Sequence, residues 1–290
     1  MIWLAALAVA AEANSTPLLD YASRFSVATA PNEAQLRREL DLAERALATN
    51  PPPAKNCATT LGAARFATLL QAVAAQRAWL ADHGGAVRDF SRALACTPRA
   101  VALYAQLAEE LLNAGRYDDA MATAVHGFGI AHDDYRLGSI VARLDFINER
   151  WPDAIGWLRW SAAVTPERDK VAYWECLLWL AQLRSGVAHP QPLGASQSED
   201  WPKPILDTLQ GSASEEQLLE AVREESDETK QREKLVEALY YIGEQRLAAG
   251  QTEIARRYFA ATVNLKVIYY IEHDLALAEL AKMRARAPPQ

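Results

Sequence analysis

This sequence predicts an all-α fold: a tetratricopeptide-like solenoid of stacked helix hairpins, with an irregular break and a C-terminal capping helix. Three observations carry that prediction. Alanines recur at Ala86, Ala120 and Ala154, each 34 residues from the last and each just after a short interruption between two apolar runs. Large or apolar residues keep the same register at Leu70 and Tyr104 and at Val73, Leu107 and Val141, with small ones beside them at Ala74, Ala108 and Ala142. Pro98 and Pro166 close two of the three units, as a residue that cannot continue a helix should.

From the N-terminus, Ile2 to Ala11 is apolar and offers the small-x-small endings Ala8-Val9-Ala10 and Ala11-Glu12-Ala13. Residues 1–13 are therefore expected to be an export signal that lacks the usual basic start. Leu40 to Pro53 reads as the second half of a repeat ending at Pro51. Three full repeats follow near 67–100, 101–134 and 135–168, in the pattern of tetratricopeptide repeats: helix A, a short turn, helix B. Gly115 in "LLNAGRYDDAMATA" lets the backbone turn at low steric cost. The alanine five residues later is short so that helix B can press against helix A. The pattern has departures: Ala124 stands where an aromatic is usual, His132 where proline is usual, and Glu149 at a turn.

Asp169 to Gly186 reads as a first helix without its partner, which completes an N-terminal array over 14–186. The Pro-, Ser- and Gly-rich stretch that follows makes 187–200 an expected loop. Over 201–290 order resumes. Ser214 and Gln217 have the spacing of a capping box. A longer helix begins after Asp227, and Gly243, Gly250, Ala255 and Phe259 restore a repeat out of phase with the others. The final "VIYYIEHDLALAELAKM" is suited to capping the stack, whose last apolar face needs cover.

The segments "WPKPILDTLQG", "YYIGEQRLAAGQTEIARRYF" and "YYIEHDLALAEL" resemble the end of bacterial tetratricopeptide lipoproteins of the NlpI type over about 201–283. That resemblance implies an envelope adaptor without catalysis, holding peptidoglycan hydrolases or a processing protease near one another. No Cys follows the N-terminal apolar stretch, so the family's lipid attachment has no acceptor here.

Composition narrows the rest. Half of the residues are hydrophobic and the net charge is -7, which disfavours a nucleic-acid surface because phosphate binding needs clustered cations. No later apolar run reaches the roughly 18 to 20 residues of a membrane span. No metal-ligand spacing or phosphate loop is present, and no cofactor is expected. Cys57 and Cys96 have two open states, a bridge in an oxidising compartment or buried free thiols, with the thiols favoured. A hydrolase using His132 or His273 with nearby carboxylates is a low-weight alternative to a scaffold. His132 beside Asp133 and Asp134 reads rather as a solvated connection, and Glu272 with His273 as a tie for neighbouring groups.

A protein or an extended peptide is the expected partner, with a homodimer through an end helix as a further expectation. Concave faces of such arrays are made by A helices, which here present Gln71 and Trp79, Glu109 and Asn113, Arg136 and Arg143, then Tyr240 and Glu244. Trp151, Trp157, Trp160, Trp174 and Trp179 crowd into one stretch and are expected to divide between core and surface. The compartment follows from the leader: periplasmic or secreted if cleaved, cytoplasmic if not.

Overall fold

The computed structural model describes residues 16–25, 33–50, 57, 62–166, 171–193, 200–268 and 270–286. The expected leader, Pro51 to Pro53 and residues 194–199 of the expected loop lie outside them. The described residues form helices and no strand. They divide into two compact units, Thr29–Gln197 and a second that joins Met1–Ala28 to Ser198–Gln290. Helix α1 (Pro17–Ala22) thus belongs with the C-terminal helices.

The repeat unit runs α2 (Glu33–Ala48), α3 (Ala63–Trp79), α4 (His83–Cys96), α5 (Val101–Asn113), α6 (Tyr117–Ile130), α7 (Tyr135–Ile147), α8 (Trp151–Val164) and α9 (Val171–Arg184). Each helix packs on the next, and α3/α4, α5/α6 and α7/α8 are tight hairpins. Ala86, Ala120 and Ala154 are fully buried, and so are Ala74, Ala108 and Ala142 on the first helices. With only methyl groups at these positions, the two backbones of a hairpin can approach closely.

A second row of small residues, Ala93, Gly127 and Ser161, keeps the same 34-residue step and is also buried. A Cβ added at Gly127 would lie 2.6 Å from Tyr104 Cβ. Asp82 caps α4 by accepting from Gly85 N, and Asp134 caps α7 by accepting from the amides of Arg136 and Leu137. The turns repeat as well: Ala81, Gly115 and Glu149, 34 residues apart, all take left-handed backbone, with φ of 58°, 71° and 57°. Glu149, a departure in sequence, is no departure in shape. Its carboxylate accepts from Arg184 Nη2 at 3.3 Å.

Cys57 and Cys96 form a disulfide with their Cα atoms 4.5 Å apart, so the favoured expectation of free thiols is corrected for this pair. Cys96 ends α4, where the chain at Cys57 passes close enough to bridge. Cys176, inside α9, is buried and takes no part in that bridge.

In the second unit, α10 (Lys203–Gln210) and α11 (Glu215–Arg223) precede the hairpin of α12 (Glu228–Ala248) and α13 (Thr252–Asn264). Ser214 and Gln217 make the reciprocal capping box. Gly250 turns the hairpin at φ 76°, and Gly243 lies against Phe259, whose Cε1 would be 2.9 Å from an added Cβ. Tyr240, Tyr241, Tyr258 and Phe259 are fully buried and form the unit's aromatic core. Helix α14 (Ile271–Arg286) closes over α13 and α12, and Tyr241 Oη donates to Glu272 at 3.2 Å.

Candidate protein-interaction surfaces

Several of the expected concave residues of the repeat unit are engaged within the chain. Gln71 Nε2 on α3 donates to Gln106 Oε1 on α5 at 2.7 Å. Arg143 on α7 grips Glu109 on α5 through two parallel hydrogen bonds, Nη1 to Oε1 at 2.7 Å and Nη2 to Oε2. Arg184 on α9 donates one hydrogen bond, from Nη2, to Glu149 in the turn after α7 at 3.3 Å. These ties span 35, 34 and 35 residues. One repeat holds the next.

Arg143 is therefore buried and committed to Glu109, which corrects its reading as a surface contact. Tyr240 and Glu244 are also fully buried, so neither offers a face to a partner. They lie on the stretch of α12 that carries the aromatic core. Gln71, Glu109 and Asn113 are half-buried, and Trp79 is 51% exposed. Arg136 is exposed and pairs with Asp134, the residue that caps its own helix. Hydrogen bonding from the Arg136 side chain holds the Asp134 carboxyl below the usual range and raises the guanidinium in turn.

The B helices carry the surface that the tryptophan count pointed toward. Phe128 on α6 makes edge-to-face contacts with Trp157 at 5.2 Å and Trp160 at 5.4 Å on α8, and with His132 at 5.9 Å. Trp157 and Trp160 meet each other at 5.6 Å. The Trp160 ring sits over Gly138 of α7, where an added Cβ would come within 2.1 Å. Glycine there makes room for the ring. Phe128, Trp157 and Trp160 all stay half-buried, so the cluster both fills the hairpin seam and shows part of its surface.

Val125, one turn before Phe128, is 54% exposed, and Val164, one turn after Trp160, is 39% exposed. Trp174 and Trp151 serve packing. Trp174 is buried and donates from Nε1 to Thr165 Oγ1 at 3.0 Å, while Trp151 stacks edge-on against Phe146 beneath the Arg184 guanidinium. Val125 and Val164 were not singled out in sequence. They are ordinary residues until the fold sets them beside the ring cluster.

His132 is exposed and touches Phe128, and His273 Nδ1 lies 3.1 Å from Asp274 Oδ1. The two belong to different units. Among the described residues no group of three or more potential ligands converges on a metal site. No helix among them is long and apolar enough to cross a membrane.

The recurring buried alanines and recurring left-handed turns decide the architecture. The chain is an all-α protein of repeated helix hairpins. No family model matches it. Among solved structures it is similar to one described as the crystal structure of MamA protein, at 15% identity and a TM-score of 0.39, over 77% of this chain and 97% of that one. A likeness so distant carries no argument about role.

Proposed function

We propose that the chain is a non-catalytic scaffold in the bacterial envelope that holds protein partners on its repeat unit. The observation that carries this reading is the half-exposed Phe128, Trp157 and Trp160 cluster, flanked by Val125 and Val164 on the B-helix surface. Rigid aromatic rings in a fixed cluster lose little side-chain freedom on binding, and tryptophan is enriched among residues that dominate interfaces. The self-paired A helices support a preorganised platform whose ordering cost is met in folding.

Export is supported by the Cys57–Cys96 bridge, since such bonds persist in oxidising compartments. The resemblance of 201–283 to NlpI-type proteins supports peptidoglycan hydrolases or a processing protease as the class of partner. Photo-crosslinking residues placed at Val125 and Val164 in living cells are expected to trap a common partner. Residues placed at Asp118 and Arg159, exposed elsewhere on the same helices, are expected to trap little. Equal yields at all four sites would sink the reading. Thiol-blocking of whole cells before lysis is expected to leave Cys57 and Cys96 unlabelled; full labelling of both would place the chain in a reducing compartment instead.

A further inference from the structure

Helix α2 is the least firmly seated helix of the repeat unit, and a disulfide stands just after it in the chain. None of its residues is fully buried, whereas its neighbour α3 buries Phe66, Ala67, Leu70, Val73 and Ala74. Arg77 Nη2 on α3 donates to Glu44 Oε1 on α2 at 2.7 Å, but Glu44 is 45% exposed. Ion pairs so open to water contribute ~1 kcal/mol or less. The pairs Arg37–Glu33 and Arg45–Asp41 run along α2 itself. A helix of this length is marginal by itself in water, so what lies beside it matters.

Cys57 lies between α2 and α3 and is half-buried, while Cys96 is the last residue of α4 and is buried. The α3/α4 hairpin between them is closed by its own packing, with Ala74 and Ala86 fully buried. The bridge is therefore not what holds that hairpin shut. What it fixes is the chain after α2. With the bridge closed, α2 hangs from Cys57; with it open, α2 hangs from Ala63, where α3 begins. The longer tether lowers the effective concentration of α2 at its seat by about twofold, on a dependence of roughly the −3/2 power of length. Cys57 can also move away without unwinding α2 or α3, because it belongs to neither.

We infer that Cys57 is a thiol–disulfide exchange site, at which an external dithiol opens the Cys57–Cys96 bridge in the folded protein and so loosens α2 from the end of the array. A thiolate of the dithiol attacks Cys57 Sγ, the bond to Cys96 breaks, and Cys96 leaves as a thiolate that takes up a proton. The second thiol of the dithiol then attacks its own sulfur in the mixed disulfide and releases Cys57 as a thiol. Two electrons and two protons pass to the chain, and the dithiol ends as a disulfide. Cys96 stays packed at the end of α4 while Cys57 departs, so the array has a clasped and an unclasped form of α2. The inference concerns this end of the repeat unit and stands or falls apart from the aromatic cluster.

The test follows reduction of the full chain by dithiothreitol under native conditions, read by alkylation and mass spectrometry. Exchange in the folded state makes the rate rise ~10-fold for ~10-fold more reagent. A rate that levels off at the speed of unfolding means a sealed structural bridge and overturns the inference. With glutathione in place of the dithiol, the mixed disulfide is expected on Cys57; capture on Cys96 overturns the assignment. Brief trypsin digestion then reads the clasp. Cleavage after Arg38 and Arg45 in α2 is expected to quicken at least about twofold on reduction, with 101–184 uncut in both forms. The Cys57→Ser, Cys96→Ser chain is expected to be cut like the reduced one with no reagent present. Unchanged cleavage in α2, which plain packing on α3 would give, overturns the clasp. So does cleavage that quickens equally along 62–184, since the bridge would then support the whole unit.

Discussion

Both units contain the same helix hairpin, with a small residue beneath the second helix and a left-handed turn before it, yet they are tied together differently. In the repeat unit polar ties recur between residues 34 or 35 apart, each joining one hairpin to the next. The C-terminal unit has ties of 31 and 36 residues as well, Tyr241 to Glu272 and Gln245 to Leu209, and adds two that join residues 197 and 210 apart, from Leu18 to Glu215 and from Tyr21 to Gln231. Periodic ties spread stability along the array as nearest-neighbour terms. Long-range ties concentrate it on a few groups.

Two carboxylates at helix starts show the contrast in miniature. Asp134 caps α7 in partial contact with water, and its Arg136 partner holds its pKa down. Glu215 opens α11 inside the unit, where burial pushes its pKa up against the pull of Tyr258 and Arg246. Burial also drives the Tyr258 hydroxyl well above its usual range, with the Glu215 charge adding to it. Asp134 is the cap of its helix and Glu215 the first residue after a cap, and desolvation outweighs the hydrogen bonds only at the more buried Glu215.

The sharpest way to break this contrast is to open one core and ask whether the other notices. Phe259→Ala is expected to cost ~3–5 kcal/mol, the range for truncating a buried aromatic. Hydrogen exchange read by mass spectrometry should show lost protection over 16–25 and 200–286 with little change over 62–184. Uniform loss would mean that the two units fold as one. Cys96→Ser should do the reverse at ~2–4 kcal/mol, the usual effect of removing a native bridge, with the loss confined to the repeat unit.

Smaller changes test the ties themselves. Glu109→Ala leaves the buried Arg143 guanidinium without its main carboxylate and is expected to cost ~1–3 kcal/mol in urea unfolding, whereas Gln71→Ala should cost ~1 kcal/mol. A reversed order would show that the Arg143 pair is no stronger than an amide contact. With pH the two carboxylates act in opposite directions. Native Glu215 keeps its proton to higher pH than in the unfolded chain, so its contribution to stability falls as pH rises from 4.5 through its raised native value. Asp134 stabilises above its ordinary 3.8, and that contribution is lost as pH falls through its lowered native value. Glu215→Gln should flatten the first dependence and leave the second, as measured by thermal melts across pH 3 to 7, a range of about four units around ordinary carboxylate values. The mildest change, Ala81→Gly, relieves left-handed backbone at a non-glycine and is expected to stabilise by ~1 kcal/mol or less.

The repeat was legible because its physics is local. A methyl-sized residue every 34 positions, a turn just before it and apolar spacing on either side are all properties of neighbours along the chain. The turn at Glu149 shows the limit of reading by residue type, since it takes the same backbone as Gly115 while looking like an exception. The binding face was read less well. Arg143 and Glu109 stand at corresponding positions of adjacent repeats, and the 34-residue period that identified the repeats also sets those positions side by side. Two opposite charges one period apart are a signal for a tie between repeats, and that signal was available. Val125 and Val164 stand one turn from Phe128 and Trp160 in the sequence itself, but that Phe128 on α6 meets Trp157 and Trp160 on α8 was decided by tertiary structure.

By itself the sequence determined the helices, their pairing into hairpins and the close packing of Ala86, Ala120 and Ala154, since those follow from spacing and side-chain size. Tertiary structure alone decided that Cys57 meets Cys96, that Arg143 is buried against Glu109, and that residues 17–25 belong with a unit whose other residues begin at 198. The reason is that such contacts join points far apart along the chain, and their existence depends on where every intervening helix has carried the backbone.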